Sequence, residues 1–433
     1  MQIILLSGGS GQRLWPLSND VCSKQFLKIF KDEECMLQRV LKQIRRTCAE
    51  ATVTIATAKK QVTLLKKYLG GNFDLSAEPC RRNTFPSIAL AAAYLHNIKG
   101  FDAEELVVVC PVDPYVDDKF FEQFHMLAAQ ISDDSPLVLM GIEPTYPSEK
   151  YGYIIPDTND KISRVKMFKE KPNLIDAQKF IDAGGLWNGG VFAFKLSYIL
   201  DKAQKLLGTS SHAELKENYD ALPNISFDYA VVEHEKNIKV VRYVGEWKDI
   251  GTWNTLTEVL ESNFVGQVQS DKTCRNLHVI NSSDVPIICM GLKDAVVAAS
   301  PEGILVSEKV SSSFIKPFVE NLDKQIRFAE KSWGTFKIID ADEHSLTIKV
   351  TLNRGSRMKY HSHERRDEVW NFIAGSGRII IDGEEKFVRA GDSVKIPVSC
   401  KHTVIADELM KIIEVQFGED ITVEDKIVWK EMI

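Results

Sequence analysis

The chain has no apolar run near the roughly 18 residues that a membrane-spanning helix needs. Its first apolar stretch, Ile3 to Leu6, is short and has no basic segment before it, so neither an export signal nor a membrane span is expected there. CxxC pairs are missing too. The eight cysteines (Cys22, Cys35, Cys48, Cys80, Cys110, Cys274, Cys289 and Cys400) are scattered, and reduced thiols in a cytoplasmic protein are the expectation. Neither GxxxxGK[ST] nor GxGxxG occurs, which removes the P-loop and the dinucleotide fingerprint. Charge of neither sign dominates: 54 Lys and Arg against 60 Asp and Glu leave a net −6. This balance gives no reason to expect nucleic acid or an anionic membrane as partner. Any phosphate site must therefore be built locally from placed cations and backbone N–H groups.

What is present is an ordinary globular composition, 44 % hydrophobic and 26 % charged over 433 residues, enough for roughly two to four domains. Over residues 1–262, short apolar segments (Ile3 to Ser7, Val53 to Thr57, Leu106 to Cys110, Leu137 to Gly141, Val191 to Phe194, Lys239 to Tyr243) alternate with amphipathic helical stretches. That alternation predicts an α/β domain, Rossmann-like, on a mixed and mostly parallel sheet with ligands in the loops after the strands. Residues 263–330 predict a short β-rich, solenoid-like middle region, with a helical linker over 319–333. Residues 331–433 read as all-β, with turns at Arg354-Gly355, Asp382-Gly383 and Ala390-Gly391.

The loop after the first strand reads Leu6-Ser-Gly-Gly-Ser-Gly-Gln-Arg-Leu14. Gly8, Gly9 and Gly11 let the backbone bend tightly, and successive N–H groups there can cradle a phosphate or a base edge. Arg13 can neutralise a triphosphate, and Lys24 adds a second cation. Asp113 and Asp249 each follow an apolar strand and together suit Mg²⁺, which takes one or two carboxylates plus substrate phosphates. Taken singly, these residues have plain structural roles. Asp113 before Pro114 reads as a turn residue, Lys171 before Pro172 as solvated surface and Asp228 as a helix N-cap. Trp187, Trp247 and Trp253 read as core.

Taken together they form a series. Gly8-Gly-Ser-Gly-Gln-Arg-Leu-Trp-Pro-Leu17 with Lys24-Gln-Phe-Leu27 resembles the signature of mannose-1-phosphate guanylyltransferases, within the wider sugar-nucleotidyltransferase superfamily. Glu78-Pro-Cys-Arg-Arg-Asn83, Cys110-Pro-Val-Asp113, Tyr151-Gly152-Tyr, Phe168-Lys-Glu170-Lys171-Pro172, Trp187-Asn188-Gly-Gly190, Ser226-Phe-Asp228-Tyr-Ala and Trp247-Lys-Asp249-Ile-Gly251 follow in the family's order. The resemblance implies transfer of GMP from GTP to mannose-1-phosphate, with pyrophosphate leaving and GDP-mannose formed. It implies Arg13, Lys24, Asp113 and Asp249 as catalytic residues, the two aspartates holding Mg²⁺. It implies Leu6, Gly8, Gly9, Gly11, Arg13, Lys24 and Asn83 at the nucleotide, and Gly152, Glu170, Lys171, Asn188 and Asp228 at the sugar phosphate. Departures occur where the family's SPKQ reads Cys22-Ser23-Lys24-Gln25 and its DHxI reads Asp113-Pro-Tyr-Val116. These keep a different base or sugar open.

Near the C-terminal end, Gly355, His361, His363, Glu368 and Gly375 fit the first cupin motif, and Gly391, Pro397 and His402 meet part of the second. Alternation puts His361 and His363 on one strand face. With Glu368 and His402 they form a donor set suited to Zn²⁺ or another divalent transition metal. The segment also resembles the mannose-6-phosphate isomerase domain fused to many of these transferases, through Glu368-Val-Trp370 and Ile413-Glu-Val-Gln-Phe-Gly418. It has two more residues between His363 and Glu368 than the family's HxHRxExW, with Arg365 or Arg366 at the expected arginine. The family's arginine after an acidic pair is altered at Glu424-Asp-Lys-Ile-Val-Trp429. The alternative is thus a bifunctional enzyme that also interconverts mannose-6-phosphate and fructose-6-phosphate. A non-catalytic regulatory relative is disfavoured by the retained Arg13, Lys24, Asp113, Lys171 and Asp249. Small-molecule substrates are the expected partners, with a homodimer paired through the middle region.

Overall fold

The computed structural model describes residues 1–9, 11–19, 21–28, 34–71, 73–322, 325–419, 421 and 425–429. The chain divides into two compact units, residues 1–14 with 23–262, and residues 15–22 with 263–433.

The first unit is built on β1 (Gln2–Ser7), β2 (Thr52–Ala58), β3 (Asp74–Glu78), β4 (Leu106–Pro111), β5 (Pro114–Val116), β6 (Leu137–Ile142), β7 (Tyr153–Pro156), β8 (Ile162–Lys169), β9 (Leu186–Lys195), β10 (Ile238–Tyr243) and β11 (Trp247–Asp249). Nine of them form one sheet in the order β3-β2-β1-β4-β9-β6-β10-β8-β7. β3, β2, β1 and β4 run parallel, as do β6 and β10. β9 lies antiparallel between β4 and β6. The parallel strands read as continuous apolar runs because helices cover both faces: Ile3, Ile4, Leu5, Val107, Val108 and Val109 are fully buried. Helix Thr84–Ala93 packs on the sheet through Ala91 and Ala92, while its Ala89 and Ala93 are buried against Ala203, Leu215 and Tyr219. β5 and β11 form a separate antiparallel ribbon that pairs Asp249 with Pro114.

In the second unit, Phe264–Val265, His278–Asn281 and Ala295–Ser300 stack in parallel. Val268–Ser270 and Ile287–Cys289 do the same beside them. Leu277, Val279, Cys289, Ala295 and Val297 fill the space between. The helical linker expected over 319–333 is replaced by a short helix, Lys316–Glu320, and a strand, Phe328–Lys331. Pro317 suits a helix start, whereas Phe328–Lys331 pairs antiparallel with Gly334–Ala341.

Residues beyond 327 make two antiparallel sheets of six and five strands. Their facing sides bury Trp370, Phe372, Ile379, Val404, Met410 and Ile412. Asp382 and Gly383 have φ of 47° and 89°, the geometry of a two-residue hairpin turn. Among the described residues, no helix is long and apolar enough to cross a membrane.

Candidate active site and metal centre

β1 ends in the glycine loop, beside the end of β4: the Val112 N–H donates to the Leu6 carbonyl at 3.0 Å. Gly9 and Gly11 have φ of 143° and 63°, values that side chains rarely allow. Lys24 opens a short turn, Lys24–Phe26, and its Nζ meets Asp113 Oδ2 at 2.9 Å. Asp113 follows β4, and the β5–β11 ribbon carries Asp249 into the same place. Burial raises the Asp113 pKa in spite of Lys24, and Asp249 adds to the rise. Burial works against the charge on Lys24, but Asp113 and Asp249 outweigh it and raise the Lys24 pKa. Arg13 is exposed, and its charge reaches both groups. Asp113 Oδ1 is buried with no hydrogen-bond partner among the described residues. A free carboxylate oxygen next to a second carboxylate is a donor set that fits a hard divalent cation.

Glu78, at the end of β3, faces the same loop. Its Oε2 accepts from Tyr219 Oη at 2.7 Å, and its Oε1 lies 3.7 Å from where a side chain on Gly8 would begin. Burial raises its pKa. The Arg81 guanidinium donates to the Gly9 carbonyl at 3.0 Å. Asn83 has φ of 66° and caps helix Thr84–Ala93, accepting from the Thr84 N–H. The segment Glu78-Pro-Cys-Arg-Arg-Asn83 stood out in the sequence, but a role was read only for Asn83; Glu78 ends β3 and Arg81 lies in the loop after it.

The five residues expected at the sugar phosphate come together. A Cβ on Gly152 would lie 2.5 Å from Glu170 Oε2, 2.9 Å from Phe168 Cζ and 3.4 Å from Asn188 Cβ. Lys171 Nζ pairs with Glu170 Oε1 at 2.9 Å. Asn188 Nδ2 donates to Asp228 Oδ1 at 2.6 Å. A register shift between β6 and β9 falls at Gly189-Gly190, and the Gly190 N–H donates to Asn188 Oδ1 at 3.1 Å. Beyond the bulge the ladder resumes with Asn188 opposite Gly141, and the Asn188 side chain turns to Asp228. Burial and the neighbouring Glu170 push the Asp228 pKa up to about 6. The N-cap role considered for Asp228 belongs to Ser226, which accepts from the Tyr229 N–H. Trp187 and Trp253 are buried as expected. Trp247 is half-buried and stands edge-on to Tyr151, 5.4 Å between ring centres.

In the second unit His361, His363 and His402 are buried, with ligand atoms within 4.8 Å of one another. Each Nδ1 faces a backbone carbonyl: Lys359 at 2.7 Å, Cys400 at 3.0 Å and, for His363, Asp425. A carbonyl only accepts, so each Nδ1 donates to its carbonyl and each ring turns its Nε2 inward, where His363 Nε2 meets Arg366 Nη2. Burial brings the His361 pKa down to about 2. His402 Nε2 has no hydrogen-bond partner among the described residues, although Glu368 Oε2 lies 3.3 Å away. A lone pair facing a carboxylate oxygen calls for a cation between them, so the site fits a transition metal.

Glu368, expected among the ligands, is 3.1 Å from His363 Nε2. It also accepts from Arg366 Nε at 3.1 Å and Trp370 Nε1 at 3.0 Å. Among the described residues, the three histidines alone make the close cluster. Arg366 is the buried arginine of the pair, and its Nη2 reaches His363 Nε2 at 3.1 Å. Asp425 went unrecognised in the sequence because its contacts span 60 residues: its carboxylate accepts the Glu364 and Arg365 N–H groups.

Residues 2–263 match the family model for nucleotidyl transferases. Residues 320–431 match that for the mannose-6-phosphate isomerase C-terminal domain. The chain is 30 % identical over 452 residues to a mannose-1-phosphate guanylyltransferase of Salmonella montevideo, covering 94 % of this chain and 95 % of that one. It is 28 % identical over 459 residues to the alginate biosynthesis protein AlgA of Pseudomonas aeruginosa, covering 98 % and 95 %. Among solved structures, a Thermus thermophilus protein described as a mannose-1-phosphate geranyltransferase matches with a TM-score of 0.62 at 27 % identity, over 74 % of this chain and 98 % of that one. A transferase model over more than half the chain, a relative at 30 % identity along nearly its whole length and the charged residues gathered within the first unit agree: this chain belongs to the mannose-1-phosphate guanylyltransferases of the nucleotidyl transferase family, with a C-terminal domain of the mannose-6-phosphate isomerase type.

Proposed function

We propose that the first unit transfers GMP from GTP to mannose-1-phosphate, forming GDP-mannose and pyrophosphate. The observation that carries this reading is the Lys24–Asp113 pair with Asp249 beside it and one Asp113 oxygen unpartnered. A phosphate oxygen of the sugar phosphate attacks the α-phosphorus. The bond to the β-phosphate oxygen breaks, and pyrophosphate leaves with the electron pair. Neither a protein nucleophile nor a general base is required, so alignment and charge carry the rate. Arg13 and Lys24 grip the triphosphate. Asp113 and Asp249 would hold Mg²⁺, which would supply charge neutralisation when bound. Lys171 holds the incoming phosphate, while Glu170, Asn188 and Asp228 bind sugar hydroxyls over Gly152. Glu78 Oε1 is the acceptor we assign to the guanine N1–H and N2–H₂ edge. Pyrophosphate release measured for each NTP with a panel of sugar-1-phosphates tests the assignment. Strongest turnover with GTP and mannose-1-phosphate is expected, and no release with any pair would end it.

A second reading, isomerase activity in the C-terminal domain, is favoured by the three histidines with Nε2 turned inward. Against it, Arg366 occupies His363 Nε2. Interconversion of mannose-6-phosphate and fructose-6-phosphate with added Zn²⁺ or Co²⁺ decides it. A cytoplasmic homodimer is the assembly we infer, through the exposed Ile288, Met290, Ile304 and Val306 of the middle region; a monomer mass in sedimentation would remove it.

A further inference from the structure

A buried amide lies under the glycine loop. Gln61 is 0 % exposed. Its Oε1 accepts from Gln25 Nε2 at 3.1 Å and sits 2.9 Å from Thr57 Oγ1. Its Nε2 donates to Ser23 Oγ at 3.0 Å and to the Gly9 carbonyl at 3.3 Å. Three of the four bonding directions of the carboxamide are therefore used, and Thr57 Oγ1, which also lies 2.8 Å from the Ser7 carbonyl, stands at the fourth. Two of these partners belong to the segments that carry the triphosphate groups: Gly9 is in the glycine loop, and Ser23 directly precedes Lys24. Gln25 adds a tie from the same turn to the Ser7 carbonyl at 3.2 Å. Ser23 itself has φ −77° and ψ 166°, which a proline ring would accept. A ring there would stiffen the approach to Lys24 covalently. In this chain the position is a fully buried serine, and the restraint on it is the hydrogen bond from Gln61.

We propose that Gln61 is a positioning residue of the nucleotide site. It sets the separation between the glycine loop and Lys24 by bridging the Gly9 carbonyl and the Ser23 hydroxyl. A proline at position 23 supplies part of the same restraint. The inference rests on the transferase reading above. Gln61 touches no substrate and acts through Gly9 and Lys24.

The test is a kinetic comparison of wild type, Gln61→Leu, Ser23→Pro and the double variant, with each substrate varied in turn. Two buried hydrogen bonds lost at the loop should raise the GTP KM about tenfold in Gln61→Leu. The mannose-1-phosphate KM should stay within about twofold, because its residues lie on other strands. Ser23→Pro alone should stay within about threefold of wild type, and in the Gln61→Leu background it should recover at least about threefold of the lost GTP kcat/KM. An unchanged GTP KM in Gln61→Leu, equal changes for both substrates, or a double variant no better than Gln61→Leu would each overturn the proposal. Should Gln61→Leu fail to fold, Ser23→Ala removes a single acceptor and should raise the GTP KM about threefold; no change would count against the proposal equally. Wild type inactive with every substrate pair would remove the transferase reading, and this inference with it.

Discussion

Replacing Gly152 by alanine isolates the sugar-phosphate site. The added methyl would sit 2.5 Å from Glu170 Oε2 and 2.9 Å from Phe168 Cζ. An ordinary C···O approach is about 3.3 Å, so Glu170 has to retreat by roughly 0.8 Å. Glu170 cannot simply swing away, because Lys171 Nζ holds its other oxygen at 2.9 Å. Phe168 must give as well, so a stability loss of about 1–3 kcal/mol accompanies the change. Misplacing a substrate group by about 1 Å costs on the order of a hundredfold. The expected fall in kcat/KM for mannose-1-phosphate is thus about thirty- to a hundredfold, with the GTP KM within about twofold. Initial rates of pyrophosphate release, with each substrate varied against a saturating partner, give both values, and a thermal melt gives the stability term. A folded Gly152→Ala enzyme whose mannose-1-phosphate kcat/KM stays within about threefold of wild type would refute the steric argument.

Asp113→Asn and Asp249→Asn should each lower turnover by more than about a hundredfold. At Asp113 the melting temperature should hold, since burial already disfavours the carboxylate; near-normal rates in both variants would dismiss the metal assignment. Asp228 has its pKa raised to about 6 by burial and Glu170, so the neutral form is favoured on folding. Its stabilising contribution is full below the unfolded carboxyl pKa of about 3.9 and is lost as pH rises through about 6. Asp228→Asn should therefore be more stable than wild type at pH 8, by at most about 3 kcal/mol, and should lose that advantage near pH 4; equal melts at both pH values would contradict this. His402→Ala should abolish stoichiometric binding of added Zn²⁺, measured by elemental analysis after dialysis, while leaving pyrophosphate release within about twofold of wild type; retained metal would remove the three-histidine assignment.

Much of the first unit was legible because its parallel strands are buried on both faces and stand out as apolar runs. β8 was not, since Arg164, Lys166 and Lys169 punctuate a strand with half its face in solvent. β3 is an edge strand opening with Asp74, and hydropathy gives it no outline. The charged residues were identifiable by type and order, but their pairing was not. Lys24 meets Asp113 only because β1 and β4 are neighbours, and Asp249 arrives through a ribbon of three residue pairs. Asp228 shows the limit of local reading: beside a short helix it suggests a cap, yet Ser226 caps and Asp228 turns to Asn188. In the C-terminal domain the histidine spacing exposed the cluster. The choice between Arg365 and Arg366 needed strand register, which buries Arg366 against Glu368.

The β5–β11 ribbon has a consequence for the order in which this protein comes into being. Lys24 and Asp113 are synthesised early, and the second carboxylate arrives more than a hundred residues later. Until Trp247–Asp249 has left the ribosome and zipped onto Pro114–Val116, a nascent chain carries the glycine loop without the completed carboxylate pair. A product that ends before Trp247 thus lacks the completed carboxylate pair, whatever else of the first unit it has made.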